Sequence, residues 1–236
     1  MRKTIFKIII VSLVIIISAS CNSLSESTST FSTVSSELTD QSILTNNPCT
    51  APCWNNLIPD QSSTGDTLEV LTHLAFIDPY NIRVLTSSWW ADSEGGEVIP
   101  AILIRGLCVQ PAETVCVEIT VVEDKVKQIS ISPNYRITLE EVVGNWGDPE
   151  DMVSHPYGAE CVGCIVNLFW SDFSMLVTSV DRRCVKGAKI CQIIYGGGKI
   201  PPGYVVDEIT YTGSVPSYVK KWSKDSRMPW PGFESP

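Results

Sequence analysis

From about residue 54 onward, apolar positions fall into short runs rich in Val, Ile and aromatics, bounded by Gly, Pro and Asp. That is the pattern of β-strands. The runs cover residues 82–90, 98–104, 115–122 and 126–131, then 164–170, 175–180, 190–195 and 205–211. Each group of four follows a stretch with helical features. Leu68, Leu71 and Leu74 recur every three residues, an amphipathic helical signal. Thr138-Leu139-Glu140-Glu141 reads as a capping box, with Glu141 three residues after the capping Thr138. Asp78-Pro79 and Asp148-Pro149 are the expected stops, because Pro disfavours helix in the residue before it.

The two groups align with each other. Thr138 lies 76 positions after Ser62, Cys184 lies 76 after Cys108, and Cys191 lies 75 after Cys116. Val126-Lys127-Gln128-Ile129-Ser130-Ile131 matches Val206-Asp207-Glu208-Ile209-Thr210-Tyr211 at an offset of 80. Near-constant offsets with small loop differences are the mark of a duplication. The expected fold is α+β: two tandem repeats, residues 48–134 and 135–213. Each is a short helical segment followed by an antiparallel four-stranded sheet. Residues 214–236 form a tail carrying Trp222, Trp230 and Phe233.

Ile58-Pro59-Asp60-Gln61-Ser62 before a short helix resembles the I-x-P-G-x-T helix entry of the SmpA/OmlA outer-membrane assembly lipoproteins, and is also similar to the β-lactamase inhibitor protein family. Thr138-Leu139-Glu140-Glu141-Val142-Val143 followed by Trp146-Gly147-Asp148-Pro149 resembles their T-x-x-E-V then L-G-x-P pattern. Here Asp60 stands where the pattern has Gly, and Trp146 where it has Leu. The resemblance spans most of residues 54–212. It implies a short helical hairpin and a four-stranded antiparallel sheet, twice. Those families bind through surfaces that vary, so it carries over no binding residue. The opening Cys49-Thr50-Ala51-Pro52-Cys53-Trp54 also resembles bacterial lipoproteins and implies no activity.

The N-terminus changes the picture of where such a domain sits. Arg2, Lys3 and Lys7 precede an apolar run over residues 8–17 broken only by Ser12, and then Ser18-Ala19-Ser20-Cys21. Basic, apolar, then small is the anatomy of a signal peptide, here residues 1–20. The run is about half the ~20 residues a spanning helix needs. The small-small-Cys ending resembles the lipobox of bacterial lipoproteins, with Ser18 in place of the usual Leu. The resemblance implies lipidation of Cys21, export, and a protein held at the cell membrane or surface. Thirteen of the 26 residues at 22–47 are Ser or Thr. With Cys21 they read as a flexible stalk over residues 21–47, whose random-coil reach is on the order of 25–30 Å.

Charge narrows the partners. Seventeen Lys and Arg against 26 Asp and Glu give a net charge of −9. Loss of residues 1–20, with three cations and no anion, leaves a net of −12. Without a basic run, the chain is no nucleic-acid binder. Its own surface would be repelled by anionic lipid, so attachment falls to the lipid on Cys21. The 44% hydrophobic content excludes general disorder.

Cys21 aside, eight cysteines remain: Cys49, Cys53, Cys108, Cys116, Cys161, Cys164, Cys184 and Cys191. An even number in an exported chain reads as disulfides, although sequence does not fix their pairing. Hairpin geometry favours Cys108–Cys116 and Cys184–Cys191, each flanking a turn-like stretch. Cys49–Cys53 and Cys161–Cys164 follow by elimination. The C-x-x-C at Cys161 also suits a redox dithiol, or zinc shared with Cys49 and Cys53. A strand-like run follows it rather than a helix, and oxidising surroundings favour the disulfide, so no metal or cofactor is expected.

Catalytic constellations are thin. No nucleophile elbow, zinc-protease or phosphate-loop motif is present. His73 falls on a helix face and His155 in a loop before Pro156, while Asp148, Glu150 and Asp151 read as a solvated turn. Trp89 and Trp90 are the candidate binding residues, since adjacent strand residues serve opposite faces and one of the two cannot join a single core. The expected function is non-catalytic: a lipid-anchored interaction module for a protein partner. The alternative is a small-molecule-sensing or enzyme-like domain with a pocket between the repeats. Replacing the lipidated thiol, Cys21→Ala, is expected to move the protein from the membrane to the soluble fraction; unchanged fractionation would refute the anchor.

Overall fold

The structure is a computed structural model that describes residues 35–91, 98–157, 163–170, 175–181, 199–200, 203–213 and 228–233. Short helices precede each run of strands: α1 (Ser42–Thr45), α2 (Thr64–His73) and α3 (Leu139–Trp146). The strands are β1 (Ile77–Ala91), β2 (Val98–Cys108), β3 (Val115–Val122), β4 (Lys125–Ile131), β5 (Asp151–Tyr157), β6 (Gly163–Trp170), β7 (Met175–Asp181), β8 (Val206–Thr212) and β9 (Met228–Pro229).

Among the described residues these nine strands form one sheet in the order β1-β2-β3-β4-β8-β7-β6-β5-β9, with antiparallel pairing between them. The order is the same read outward from the β4–β8 seam: β4, β3, β2, β1 on one side and β8, β7, β6, β5 on the other. The fold is therefore sheet-dominated with few helices.

Both longer helices begin on a capping box. Ser63 Oγ accepts from the Asp66 N–H, and the Asp66 carboxylate accepts from the Ser63 N–H. Thr138 and Glu141 do the same. Each box satisfies donors that a helix start leaves open. The first cap is Ser63, one residue later than Ser62, which instead accepts at its hydroxyl from the Ile58 N–H. Helix α2 ends at His73, before Asp78-Pro79. Those two residues lie in β1, where Pro is tolerated because the strand is at the sheet edge.

Strand alternation sends one side chain in two to the core. Ile104, Val117, Ile119, Ile129, Ile131, Val166, Leu168, Val177, Ile209 and Tyr211 are buried there, against Leu71 of α2 and Leu139 and Val142 of α3. Each fully buried aliphatic side chain contributes about 1.5–3 kcal/mol.

Two expectations need correction. Residues 35–47, read as stalk, are packed on the domain: Ile43 of α1 is buried in the core, and Asn134 Nδ2 donates to the Leu38 carbonyl at 2.7 Å. A Ser/Thr-rich background hides one well-placed Ile. Residues 151–157, read as a turn at Asp151 and a loop at His155, form β5. Met152, Val153 and Ser154 are buried, but polar and Pro residues mask their strand pattern. The strand at 190–195 and most of the tail lie outside the described residues. Residues 228–233 of that tail dock: Met228–Pro229 pairs with β5, and Trp230 stacks edge-on against Phe233 at 5.1 Å.

The far end of the seam is locked by Asp60, Lys127 and Gly213. Asp60 adopts a left-handed conformation (φ 64°), which Asp tolerates and Gly favours. Its carboxylate pairs with Lys127 Nζ at 2.6 Å. A Cβ added at Gly213 would overlap that carboxylate. Gly213→Ala is expected to cost about 1–2 kcal/mol in urea unfolding, because Asp60 must leave Lys127. The penalty should largely vanish in an Asp60→Gly background. A neutral Gly213→Ala, or an unchanged penalty, would contradict this geometry.

Candidate functional site

Strand β1 is the open side of the sheet: among the described residues it pairs with β2 alone. Its ladder is irregular at two places, between Ile77 and Ile82 and between Leu85 and Ser88. The first irregularity carries an Asx turn. Asp78 accepts from the Tyr80 N–H at 3.0 Å and from Asn81 Nδ2 at 2.6 Å. This turn holds Tyr80 out into solvent at 95% exposure. Between the irregularities runs a regular stretch, Ile82 to Leu85, in which Val84 is 46% and Leu85 37% exposed. An exposed Tyr on a fixed turn is the residue type that binding anchors favour.

Beyond the second irregularity lie Trp89, opposite Pro100, and Trp90, opposite Ile99. Strand β3 pairs with β2 only from Ile102 to Leu107. The stretch carrying both tryptophans is thus a two-stranded ribbon projecting past the rest of the sheet. The side chains of Trp89 and Trp90 lie outside what the structure describes. Tyr80, at the other end of the same strand, is not a sequence-predicted site residue; Asp-Pro-Tyr-Asn carries a turn signal that in sequence also spells a helix stop.

A single row of side chains crosses the sheet on the face opposite the core. Successive partners are Arg83, Arg105, Glu118, Ser130, Thr210, Leu176, Phe169 and Asp151. Arg105 Nε pairs with Glu118 Oε2 at 2.7 Å, with both side chains partly exposed, so this bridge contributes at most about 1 kcal/mol. Arg83 stands exposed beside Arg105, and no carboxylate among the described residues pairs with it. At the middle of the sheet the face is hydroxylic: Gln128 donates to Ser130, which meets Thr210 at 3.2 Å, and Thr210 donates to Glu208.

Two of the four expected disulfides fall among the described residues, one expected from hairpin geometry and one by elimination. Cys108 and Cys116 are bonded across β2 and β3, and Cys49 is bonded to Cys53. Cys164 stands in β6, with its side chain outside the described set, as are Cys21, Cys161, Cys184 and Cys191. His73 lies at the exposed end of α2. Among the described residues no group of three His, Cys, Asp or Glu is placed to hold a metal ion.

A second polar cluster sits where the N-terminal segment joins the domain. Asp40 is buried and accepts from Trp54 Nε1 at 2.7 Å, Ser42 Oγ at 2.6 Å and the Ser42 N–H at 3.0 Å. Tyr135 donates its hydroxyl to the Asp40 carbonyl at 2.8 Å. Burial pushes the Asp40 carboxyl above its ordinary 3.8, against the opposing pull of these donors. Burial likewise raises the Tyr135 and Tyr211 hydroxyls, so both are neutral at physiological pH.

Because the folded form holds the Asp40 proton more tightly than the unfolded chain, proton binding favours folding here. The contribution is fully present below about pH 4 and is lost as pH rises through the raised folded value. Asp40→Asn, which cannot titrate, is therefore expected to lose less stability than the parent between about pH 4 and pH 7, read as urea midpoints. Parallel pH profiles for the two proteins would count against it.

No protein-family model, no curated protein and no solved structure matches the chain, so its functional reading rests on its own residues and geometry.

Proposed function

We propose that this protein is an exported, lipid-anchored interaction module, non-catalytic, that holds a protein partner at the β1 edge and the β1–β2 ribbon. Its domain is one helix-plus-four-strand unit written twice, of the kind the SmpA/OmlA resemblance implies. Several local coincidences support the duplication. The ladder irregularity that sets Lys127 aside in β4 recurs at Asp207 in β8, 80 residues on. The Val126 N–H donates to the carbonyl of Ser62, just before the first helix cap; the Val206 N–H donates to that of Ile137, just before the second. The remaining cysteines complete the scheme as Cys161–Cys164 and Cys184–Cys191. Cys21 carries the lipid, and residues 35–47 are counted with the domain.

One observation carries the choice of surface. The sheet has two topologically equivalent outer strands, β1 and β5. The tail lays β9 against the Asp151–Met152 end of β5, while β1 has nothing on its outer side among the described residues. The uncovered strand is also the one bearing Tyr80, Val84 and Leu85 at the surface. A photo-crosslinking amino acid placed at Tyr80 in the full-length, anchored protein is expected to give a discrete adduct in intact cells. The same group at Gln128, in the middle of the hydroxylic face, should give none. No adduct from position 80, or identical adducts from both positions, would refute the assignment.

A further inference from the structure

Read as a charge pattern, the cross-sheet row begins at the open edge with two cations, Arg83 and Arg105, and only then reaches the carboxylate of Glu118. Like charges directly opposite each other on neighbouring strands are destabilising, and opposite charges stabilising. Arg105 is answered by Glu118 at 2.7 Å. Among the described residues Arg83 is answered from neither side: its inner neighbour is a cation, and its outer side is the sheet edge. In a chain with nine more anions than cations, an unanswered Arg at that place is conspicuous.

The backbone around it is shaped to match. Exposed edges are normally blunted with Pro, bulges or charge, because unpaired N–H and C=O groups recruit other strands. Strand β1 has Pro79 and an irregularity on one side and a second irregularity on the other. The regular stretch between them, Ile82 to Leu85, is left open, with Val84 and Leu85 exposed. The equivalent edge at β5 is paired with the chain's own β9 at Asp151 and Met152.

We propose that β1 accepts an extended segment of the partner protein as an added antiparallel strand, with a carboxylate opposite Arg83. The row then reads anion, Arg83, Arg105, Glu118, and both cations have an opposite charge beside them. Main-chain hydrogen bonds to Ile82–Leu85 supply affinity, and the acid supplies register and specificity. The residues on either side of the acid lie on the opposite face, where an aliphatic side chain contacts Val84. This rests on the reading of the β1 edge as the partner surface.

The test uses short capped peptides of alternating threonine and valine with a central glutamate. Controls carry lysine in place of that glutamate, or N-methyl groups on alternate amides. Binding to the full chain is followed by fluorescence anisotropy, and engagement of β1 by amide hydrogen exchange. The glutamate peptide is expected to bind about fivefold tighter than the lysine peptide and to slow exchange in β1. Arg83→Gln should erase that preference and Arg83→Glu should invert it. The N-methylated peptide should not bind. Failure of the glutamate peptide to bind up to its solubility limit, equal binding of both charges, or binding that survives N-methylation would overturn strand addition. An adduct from position 80 that persists in that case leaves the edge as the partner surface and removes only the strand-addition mode; loss of the adduct as well removes both.

Discussion

Strand β4 pairs with β8 over only four residues, from Gln128 opposite Thr212 to Ile131 opposite Ile209. This short ladder makes one sheet out of two four-stranded meanders. Its core side carries Ile129, Ile131, Ile209 and Tyr211, all buried. Its other side carries Ser130 against Thr210. A slip of one residue would send the four large apolar side chains to the hydroxylic face and the hydroxyls to the core. At about 1.5–3 kcal/mol for each aliphatic side chain moved, no alternative register competes. The Asp60, Lys127 and Gly213 contact closes the same seam at its end. Helix placement follows from it too, since the Val126 and Val206 N–H groups anchor the entries to α2 and α3.

Much of this was legible because it depends on neighbours in sequence. The capping box at Thr138 is a local arrangement of a hydroxyl and a carboxylate, and it formed as read. The Cys108–Cys116 bond follows from two cysteines flanking a hairpin turn. Strands β3, β4, β7 and β8 are runs of β-branched residues and fell close to where the pattern put them. What was not legible depends on partners far away. Asp40 lies in a polar stretch, and only Trp54, fourteen residues on, and Tyr135, 95 residues on, make it an interior residue. Strand β5 contains His155 and Pro156 and has weak β character of its own; pairing with β6 along its whole length sustains it. The prominence of Tyr80 arises from the Asp78 turn in the edge strand, and the same letters also spell a helix stop.

The candidate site shows the same division. Sequence directed attention to Trp89 and Trp90 by their adjacency alone. The backbone places them on a projecting ribbon, a placement set by how far β3 extends along β2. No periodicity in β1 reports the length of a strand two elements later. Arg83 gives no sequence signal at all. Its charge matters only because the register sets it beside Arg105, with Glu118 on the far side.

The two edges of the sheet pose one physical problem and receive different answers. Unpaired main-chain groups on an outer strand attract other chains wherever they are flat and apolar. At β5 the chain spends its own tail on the problem, and Trp230 and Phe233 pack beside it. At β1 it places irregularities at either end, a Pro, and one Arg in the open interval. A lone cation guards an edge against uncharged strands and against copies of itself, which would bring a second Arg83 to the same edge. It does not guard against a strand that carries an acid at the matching position. Protection and recognition are then one device, in which the charge that keeps the edge soluble while it is empty sets the register of whatever fills it.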